Sequence, residues 1–524
     1  MPADEADQPP PPITVRGASV SARARGWARG HVWLIAIACA YLYIFPYFPK
    51  LNSANELPRV YLVKAMVHDQ TFAIDHGVAR WGTTLDVSES GGHSYSNKAP
   101  GSSMLAIPVY AAISFVFGEP SLETSVWICR VVTGVIPTLL FLMLLYNFLA
   151  RFAPDPAVRR LVVIAYALGS MAMTYSVLYF SHQLSAICVA TSWILTVDVV
   201  DGRRGLRAMA LAGVLAGLAP LVDYQAVFAV VPVAVYVVVR LRGDLLRLAR
   251  IAACATAGAA VPLAILLLYH QACFGSPWRT GYDASTTFAV YHQHGFLGLT
   301  GIHWEAFRGS LFSFDDGLVT LSPWLLLAIY GGVEMIRRPH QPGNRGIALT
   351  CVAVAIIYIL FISSLNFWRG GGAVGPRYIT ALLPFLLPLV AAHVQVLLRR
   401  PLMLGAIAGS IFVGVVIYTA SSATFPYWPE SLKNPLRDVT FQLLVDDLVV
   451  PNLGDVVGLH GVLGLLPYLA LVSGLTGWAV LRVAGRRGLA ISVATALAML
   501  IAYSLVPGGT PNHEYDYVRS IVER

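Results

Sequence analysis

Thirteen apolar runs, each of about the length of a membrane span, follow one another along this chain. A helix of roughly 17–25 apolar residues crosses the hydrocarbon core of a bilayer. Only 12% of the 524 residues are charged, against about 25% in a soluble domain, so there is too little polar surface to cover a soluble globule. The pattern predicts an all-α, polytopic integral membrane protein and excludes a disordered chain, a coiled coil and a disulfide-rich secreted module. The runs lie near residues 31–49, 126–149, 161–178, 184–200, 206–220, 224–239, 250–269, 322–336, 346–364, 378–398, 402–420, 462–481 and 488–506.

A further apolar run, residues 104–118, is short for a span and is predicted to form an interfacial or re-entrant helix. The distribution of Lys and Arg tests this interpretation, because cytoplasmic loops carry the excess of positive charge. With thirteen spans and a cytoplasmic N-terminus, the cytoplasmic segments hold 22 of the 36 Lys and Arg residues and eight acids, which leaves 14 bases and 20 acids outside. A fourteenth span would move every later Arg pair to the outer side.

This topology divides the chain into four parts. They are a basic cytoplasmic tail, a transmembrane module with two long outer loops, a C-terminal group of helices with a third outer loop, and an outer tail. A polar C-terminus of this kind is commonly disordered. The parts are residues 1–30; 31–400, with outer loops 50–125 and 270–321; 401–506, with outer loop 421–461; and 507–524.

The predicted spans contain almost no ionisable residues. Asp223, at the predicted end of a helix, comes nearest to the middle of the membrane. Ion-coupled transporters usually place carboxylates or bases there. Because the polar residues are concentrated in the outer loops, we expect the chemistry of this protein at the outer membrane–water interface.

The first outer loop carries the most informative polar residues. Glu56 and Arg59 follow the first span, and residues 56–70 are predicted to form a short helix with its apolar side against the membrane. Lys98 precedes Pro100, directly ahead of the interfacial helix. A lysine at that depth is well placed to hold a lipid phosphate.

This arrangement resembles the GT-C superfamily of polyprenyl-phosphate-sugar glycosyltransferases, in particular the protein O-mannosyltransferases and the lipid A aminoarabinose transferase. Those enzymes carry a catalytic Asp in an Asp-Glu-x-Arg-Tyr-like stretch, followed by Lys-Pro-Pro. Here residues 55–59, Asn-Glu-Leu-Pro-Arg, occupy the first place and residues 98–100, Lys-Ala-Pro, occupy the second. Arg130, the segment YFSHQ at 179–183 and the segment GPRY at 375–378 are similar to further positions of the superfamily.

The resemblance implies an inverting transfer in which one carboxylate deprotonates the acceptor and cations hold the departing phosphate. Asn55 stands at the catalytic Asp of the superfamily and cannot act as a base, so the catalytic residue is either Glu56 or Asp86. The candidate residues for binding substrate and lipid phosphate are Lys98, Arg59, His182, Arg279, Tyr282, Asp283 and Arg377.

No metal site is predicted. The histidines His292, His294 and His303 lack supporting Cys or carboxylate spacing, which makes them a weak metal signal. Asp315 and Asp316 form a carboxylate pair, but their segment SFDDGL is also an ordinary turn. The sequence requires no cofactor and leaves the participation of a divalent cation open.

These observations predict a membrane glycosyltransferase of a bacterial inner membrane, with its site facing the periplasm or exterior. Its partners would be a polyprenyl-phosphate-linked sugar donor, a lipid, glycan or protein acceptor and membrane lipids, with no nucleic acid. The alternatives are a transporter or flippase for a lipid-linked saccharide and a non-catalytic assembly protein of the cell envelope. The sequence does not identify the sugar or the acceptor.

Overall fold

The computed structural model of the protein describes residues 30–287, 291, 298–339, 343–508 and 511–523. The first half of this structure contains an antiparallel hairpin and a series of helices, several of which continue into short π or 3-10 turns. The hairpin strands are β1, Val87–Ser90, and β2, His93–Ser96. The helices are α1, Val32–Tyr43; α2, Leu57–Lys64; α3, Asp75–Trp81; α4, Gly101–Phe117; α5, Leu122–Arg130; α6, Ile136–Phe148; α7, Pro156–Leu168; α8, Met171–Val177; α9, Ser181–Val200; α10, Leu206–Val222; α11, Val230–Leu241; and α12, Leu245–Phe274.

In the described part of the second half, the regular elements are all helices. Helix α21 contains a break at Gly485, whose φ of 70° separates two straight segments. The helices are α13, Trp304–Phe312; α14, Leu318–Leu321; α15, Leu327–Arg337; α16, Asn344–Ser364; α17, Leu383–Leu397; α18, Pro401–Ala423; α19, Gln442–Val445; α20, Leu453–Val456; α21, Gly461–Leu505; and α22, Pro511–Val522.

The prediction of a polytopic, all-α membrane fold is confirmed. Every one of the thirteen apolar runs coincides with a described helix, and the last two runs are the two halves of α21. By length and hydropathy, eight helices in the described residues can cross a membrane, or nine if α7 and α8, which meet at 57°, form one span. The count of thirteen spans therefore stays a prediction. The run 104–118 lies in helix α4, and its position relative to the membrane stays a prediction.

Small residues bring some of the helices to backbone contact. A Cβ added at Gly213 would lie 2.1 Å from the carbonyl oxygen of Ala255, and one at Gly258 would lie 2.1 Å from that of Ala210. Helices α10 and α12 therefore pack closely along their length. Small residues at helix interfaces are typical of membrane proteins, where apolar burial from lipid gives no driving force for association.

The prediction that residues 56–70 expose an apolar side to the membrane is wrong. In helix α2, Leu57, Val60, Tyr61 and Val63 are all buried within the protein. Helices α4 and α5 and the β1–β2 hairpin cover α2, so the first outer loop is a folded layer with its own apolar core.

The C-terminal tail is also more ordered than a polar terminus suggests. Residues Pro511–Val522 form helix α22. Its side chains Val518, Ile521 and Val522 are buried, and Lys50 donates from Nζ to the carbonyls of Ser520 and Glu523 at 3.0 and 2.7 Å. The amphipathic pattern of the tail is satisfied by packing on the outer loops.

Candidate active site

A polar cavity of about 550 Å³ lies among the outer loops. The β1–β2 hairpin places two of its charged residues. The hairpin register pairs Val87 with Ser96, so the residues that flank the strands, Asp86 on one side and Lys98 on the other, meet across the hairpin base. Both side chains line the cavity.

Asp86 and Lys98 form an ion pair at the wall of this cavity. Lys98 Nζ lies 2.8 Å from Asp86 Oδ2, and the amide of Asn97 donates to Asp86 Oδ1 at 3.1 Å. Burial lowers the pKa of the Lys98 ammonium, and the charge of Asp86 opposes that shift. The carboxylate is thus oriented by two donors and faces a space that a substrate hydroxyl can enter.

Two arginines stand beside this pair and are held by neutral groups. Arg59 donates to the side-chain oxygens of Asn55 and Ser181 at 3.0–3.3 Å, and burial lowers the pKa of its guanidinium. Arg377 donates from Nη2 to the carbonyl of Gly370, and its buried Nε has no hydrogen-bond partner in the described residues. Arg59, Lys98 and Arg377 line one small pocket at the inner end of the cavity.

His182 and Asp223 complete this pocket. His182 Nδ1 lies 2.7 Å from Asp223 Oδ2, and Gln225 donates to the same oxygen at 3.1 Å. The other ring nitrogen of His182, Nε2, is buried and has no hydrogen-bond partner among the residues that the structure describes. Three cations thus face two carboxylates, Asp86 and Asp223, so the pocket carries a positive charge, and Nε of Arg377 is a donor without a partner among the described residues. We call Arg59, Lys98, Arg377 and His182 with Asp223 the cationic junction.

An apolar cavity of about 350 Å³ opens on the other side of the junction. Val227, Phe228, Phe361 and Leu365 form its apolar wall. Tyr282, Phe367 and Tyr378 line both this cavity and the polar one. The site therefore has three neighbouring parts: a polar cavity, a cationic junction and an apolar cavity.

Glu56 does not line any of these spaces. Its carboxylate accepts two hydrogen bonds from Arg130, at 2.9 and 2.8 Å, one from the backbone N–H of Tyr179 at 2.5 Å and one from the hydroxyl of Tyr427. The residue is 2% exposed. Its oxygens are occupied by structural partners, which favours a role in holding α2 against α5 over contact with a substrate.

Arg279 and Asp283 are not brought to the site. Both side chains are exposed, and the carboxylate of Asp283 accepts from the N–H and hydroxyl of Thr280, at 2.7 and 2.9 Å, in a capping box. Tyr282, which lies between them in sequence, lines the cavities instead. Gly and Pro residues mark this loop in the sequence, but the hydrogen bonds of Asp283 are those of an ordinary turn.

The structure describes only some of the candidate metal-binding residues. His292 and His294 lie outside the described residues. Within those residues, no group of three or more His, Cys, Asp or Glu side chains is arranged to hold a metal ion. Asp315 and Asp316 both contact Arg369, which gives this carboxylate pair a structural partner.

Sequence reasoning missed the contributions of Tyr378 and Asn55 and underestimated Asp223. Tyr378 belongs to the GPRY segment and lines all three parts of the site. Asn55 holds Arg59 and also lines the polar cavity. Asp223 was noticed for its depth in the membrane, and that unusual position was a signal for its place beside His182.

No protein-family model matches the chain, and no curated protein matches it. Among solved structures, the chain is similar to ArnT from Cupriavidus metallidurans bound to undecaprenyl phosphate, at 14% identity and a TM-score of 0.46, over 93% of this chain and 76% of that one. It is also similar to the archaeal oligosaccharyltransferase AglB from Archaeoglobus fulgidus, in complex with an inhibitory peptide and a dolichol-phosphate, at 12% identity and a TM-score of 0.47, over 77% of this chain and 56% of that one.

A third similar structure is the arabinosyltransferase EmbB from Mycobacterium smegmatis, at 15% identity and a TM-score of 0.46. The likeness covers 94% of this chain and 42% of that one. Values this low assign neither a family nor an activity to the chain by themselves.

Proposed function

We propose that this protein is a membrane glycosyltransferase that moves a sugar from a polyprenyl-phosphate donor to an acceptor hydroxyl at the extracytoplasmic face. The observation that carries the proposal is the cationic junction between an apolar and a polar cavity. The order of the three parts matches the three parts of the reaction: a lipid chain, a phosphate and an acceptor. The choice of a sugar as the transferred group rests on the Asn-Glu-Leu-Pro-Arg and Lys-Ala-Pro motifs.

The donor would bind with its prenyl chain in the apolar cavity and its phosphate at the junction. Aliphatic and aromatic side chains such as Phe228 and Phe361 suit a prenyl chain. Arg59 and Arg377 have no direct carboxylate partner among the described residues, so their charges are available to a phosphate. An arginine offers a fork of donors that fits phosphate oxygens.

Asp86 is the proposed general base. Its carboxylate takes the proton of the acceptor hydroxyl while the hydroxyl oxygen attacks the anomeric carbon. The bond from that carbon to the phosphate oxygen breaks, and its electron pair stays on the phosphate. A single displacement of this kind inverts the anomeric configuration.

The cations of the junction would act mainly on the leaving group. The phosphate begins as a singly charged diester and leaves as a more highly charged monoester. Interactions that strengthen as this charge develops lower the barrier, whereas equal binding of substrate and transition state does not. Lys98 is paired with Asp86, and rotation of the Lys98 side chain would carry its ammonium group from the carboxylate to the phosphate. His182, held by Asp223, offers Nε2 as a further donor when it is protonated.

The charge distribution along the sequence supports the proposed orientation. With the N-terminus in the cytoplasm of a bacterial inner membrane, the polar cavity opens to the periplasm or exterior. The acceptor would then be an envelope lipid, glycan or protein. Both the transmembrane module 31–400 and the C-terminal part 401–506 would contribute residues to the cavity.

Transfer by the purified protein tests the proposal. Labelled polyprenyl-phosphate sugars are incubated with membrane extract and wild-type protein, Asp86→Asn, Lys98→Met or Arg279→Met. We expect Asp86→Asn to lose about 10²–10⁴-fold in turnover, as for a missing general base, and Lys98→Met to lose donor affinity. Arg279→Met removes an exposed cation from a neighbouring loop and should transfer at the wild-type rate.

The outcomes separate the alternatives. If the wild type consumes no donor but moves lipid-linked saccharides in proteoliposomes, the protein is a transporter. If Asp86→Asn folds and transfers like the wild type, Asp86 is not the base. A parallel reaction in EDTA determines whether a divalent cation takes part.

A further inference from the structure

A second pair of cavities lies at the opposite ends of the helices from the candidate active site. An apolar groove of about 330 Å³ runs between helices α9, α10, α11 and α12. A polar pocket of about 400 Å³ lies at its end, among the loops that connect these helices. Ile251 lines both spaces, so the groove and the pocket adjoin each other.

Helix packing explains why the groove exists. Glycines bring α10 and α12 to backbone contact, whereas α11 presents Val230, Val233 and Val237 to the groove. The lining consists almost entirely of aliphatic side chains and Ala or Gly. In a bilayer such a groove is filled by hydrocarbon, because water finds no hydrogen-bonding partners there.

The pocket at the end of the groove is strongly basic. Arg204, Arg247 and Arg250 line it with a single acid, Asp244. Arg247 is fixed by donating from Nη2 to the carbonyls of Val199 and Val200, at 2.9 and 3.0 Å. Arg204 and Arg250 line the pocket and are exposed, and Arg204 donates from Nε to Asp198 Oδ2 at 3.0 Å. The pocket therefore combines the anchored Arg247, the exposed Arg250 and the exposed Arg204, which also pairs with Asp198.

We propose that the groove and the pocket bind an anionic phospholipid, with an acyl chain along α11 and the phosphate among Arg204, Arg247 and Arg250. The position of the basic pocket directly beside the apolar groove selects a lipid over a soluble phosphate, since a soluble ion would leave the groove unused. Three cations against two carboxylates, Asp244 and the Asp198 that pairs with Arg204, leave an excess of positive charge, which selects an anionic lipid over a zwitterionic one. Basic pockets between helices at the cytoplasmic side are suited to anionic headgroups, and the predicted topology places this end of the helices in the cytoplasm.

The test measures retention of phosphatidylglycerol by the intact protein in detergent, using native mass spectrometry. The binding variant is Arg204→Ala/Arg250→Ala. The matched control is Arg203→Ala/Arg207→Ala, which removes two exposed arginines from the same loop region that do not line the pocket. At about 1 kcal/mol for each basic residue near an anionic headgroup, the binding variant should bind about tenfold or more weakly, and the control should bind like the wild type.

A second pair of variants tests the role of the groove. Ala234→Phe places a ring into the groove, whereas Val239→Phe adds one to a residue of α11 that is 58% exposed and does not line it. We expect only Ala234→Phe to weaken phosphatidylglycerol binding. Glycerol phosphate, which carries the phosphate without acyl chains, should not displace the lipid at millimolar concentration.

Several results would overturn the proposal. These are equal retention of phosphatidylglycerol and phosphatidylcholine by the wild type, equal losses in the two arginine double variants, or displacement of the lipid by glycerol phosphate. Because native mass spectrometry reports binding only in the folded protein, a misfolded variant is recognised by its charge-state distribution and is replaced by the Arg250→Ala single variant.

Discussion

Removing the carboxylate of Glu56 is expected to destabilise the protein, and removing that of Asp86 is expected to stop the chemistry. Glu56 accepts four hydrogen bonds, two of them from the buried Arg130. Glu56→Ala leaves that guanidinium buried without its partner. Breaking a buried ion pair in this way costs about 3–5 kcal/mol.

Asp86→Asn has a smaller effect on the fold. The asparagine keeps an oxygen for the amide of Asn97, and Lys98, whose pKa burial already lowers, can lose its proton. The loss of turnover, about 10²–10⁴-fold for a general base, corresponds to about 3–5 kcal/mol in the barrier. Glu56 is therefore expected to affect mainly the stability of the protein, and Asp86 mainly the rate of transfer.

Thermal unfolding of the detergent-purified protein, followed by tryptophan fluorescence, measures the first effect and sugar transfer measures the second. We expect the unfolding midpoint of Glu56→Ala to fall and to recover in Glu56→Ala/Arg130→Met, since the second change removes the unpaired charge. The matched result for Asp86→Asn is a midpoint near that of the wild type with little turnover. The reasoning is refuted if Glu56→Gln unfolds at the wild-type midpoint and has lost turnover, because Glu56 would then be the base.

Two further predictions concern the outer loops. Tyr517, on the C-terminal helix, lines the polar cavity and is 54% exposed. Tyr517→Ala should therefore raise the KM for the acceptor about fivefold, as expected for the loss of about 1 kcal/mol, and leave the KM for the donor unchanged. Tyr517→Phe keeps the ring and should behave like the wild type, whereas equal changes in both KM values would contradict this role. Burial and the charge of Asp315 hold the pKa of Asp316 well above its usual range, against the opposing charge of Arg369. A carboxyl whose pKa is raised by folding stabilises the fold below its unfolded pKa, and this contribution is lost as the pH rises through the folded pKa. The midpoint of the wild type should therefore fall with rising pH more steeply than that of Asp316→Asn, and parallel pH curves for the two proteins would show that Asp316 is ionised in the fold.

The spans and several site residues could be predicted from the sequence because their signals are local. Hydropathy identifies helices over about 20 residues, and Asp86 and Lys98 are polar residues near each other in one outer loop. The role of Glu56 could not be predicted in the same way. Its partners Arg130 and Tyr427 lie 74 and 371 residues away along the chain, and only the folded structure shows that they occupy its oxygens.

The wrong prediction for the surroundings of helix α2 has a different physical cause. The amphipathic pattern consists of Leu57, Val60, Tyr61, Val63 and Val67. All eight residues of α2, including Arg59 and Lys64, are buried, so protein and not lipid encloses the helix on every side. The choice between these environments depends on whether other segments cover the helix, which the pattern within the helix does not contain.

The nearest partners of five basic residues, Arg59, Lys64, Arg130, Arg369 and Arg377, indicate their roles. Arg130, Lys64 and Arg369 each contact a carboxylate, so their charges are neutralised within the protein and their roles are structural. Arg59 and Arg377 are held by amide, hydroxyl and carbonyl oxygens and have no direct carboxylate partner in the described part of the chain. A buried charge without a partner is unfavourable in the free protein, and that cost is relieved when an anion binds. The sequence does not distinguish these five basic residues from one another. Their pairing in the fold leaves Arg59 and Arg377, beside the Lys98–Asp86 pair, as the residues available to the phosphate of the proposed donor.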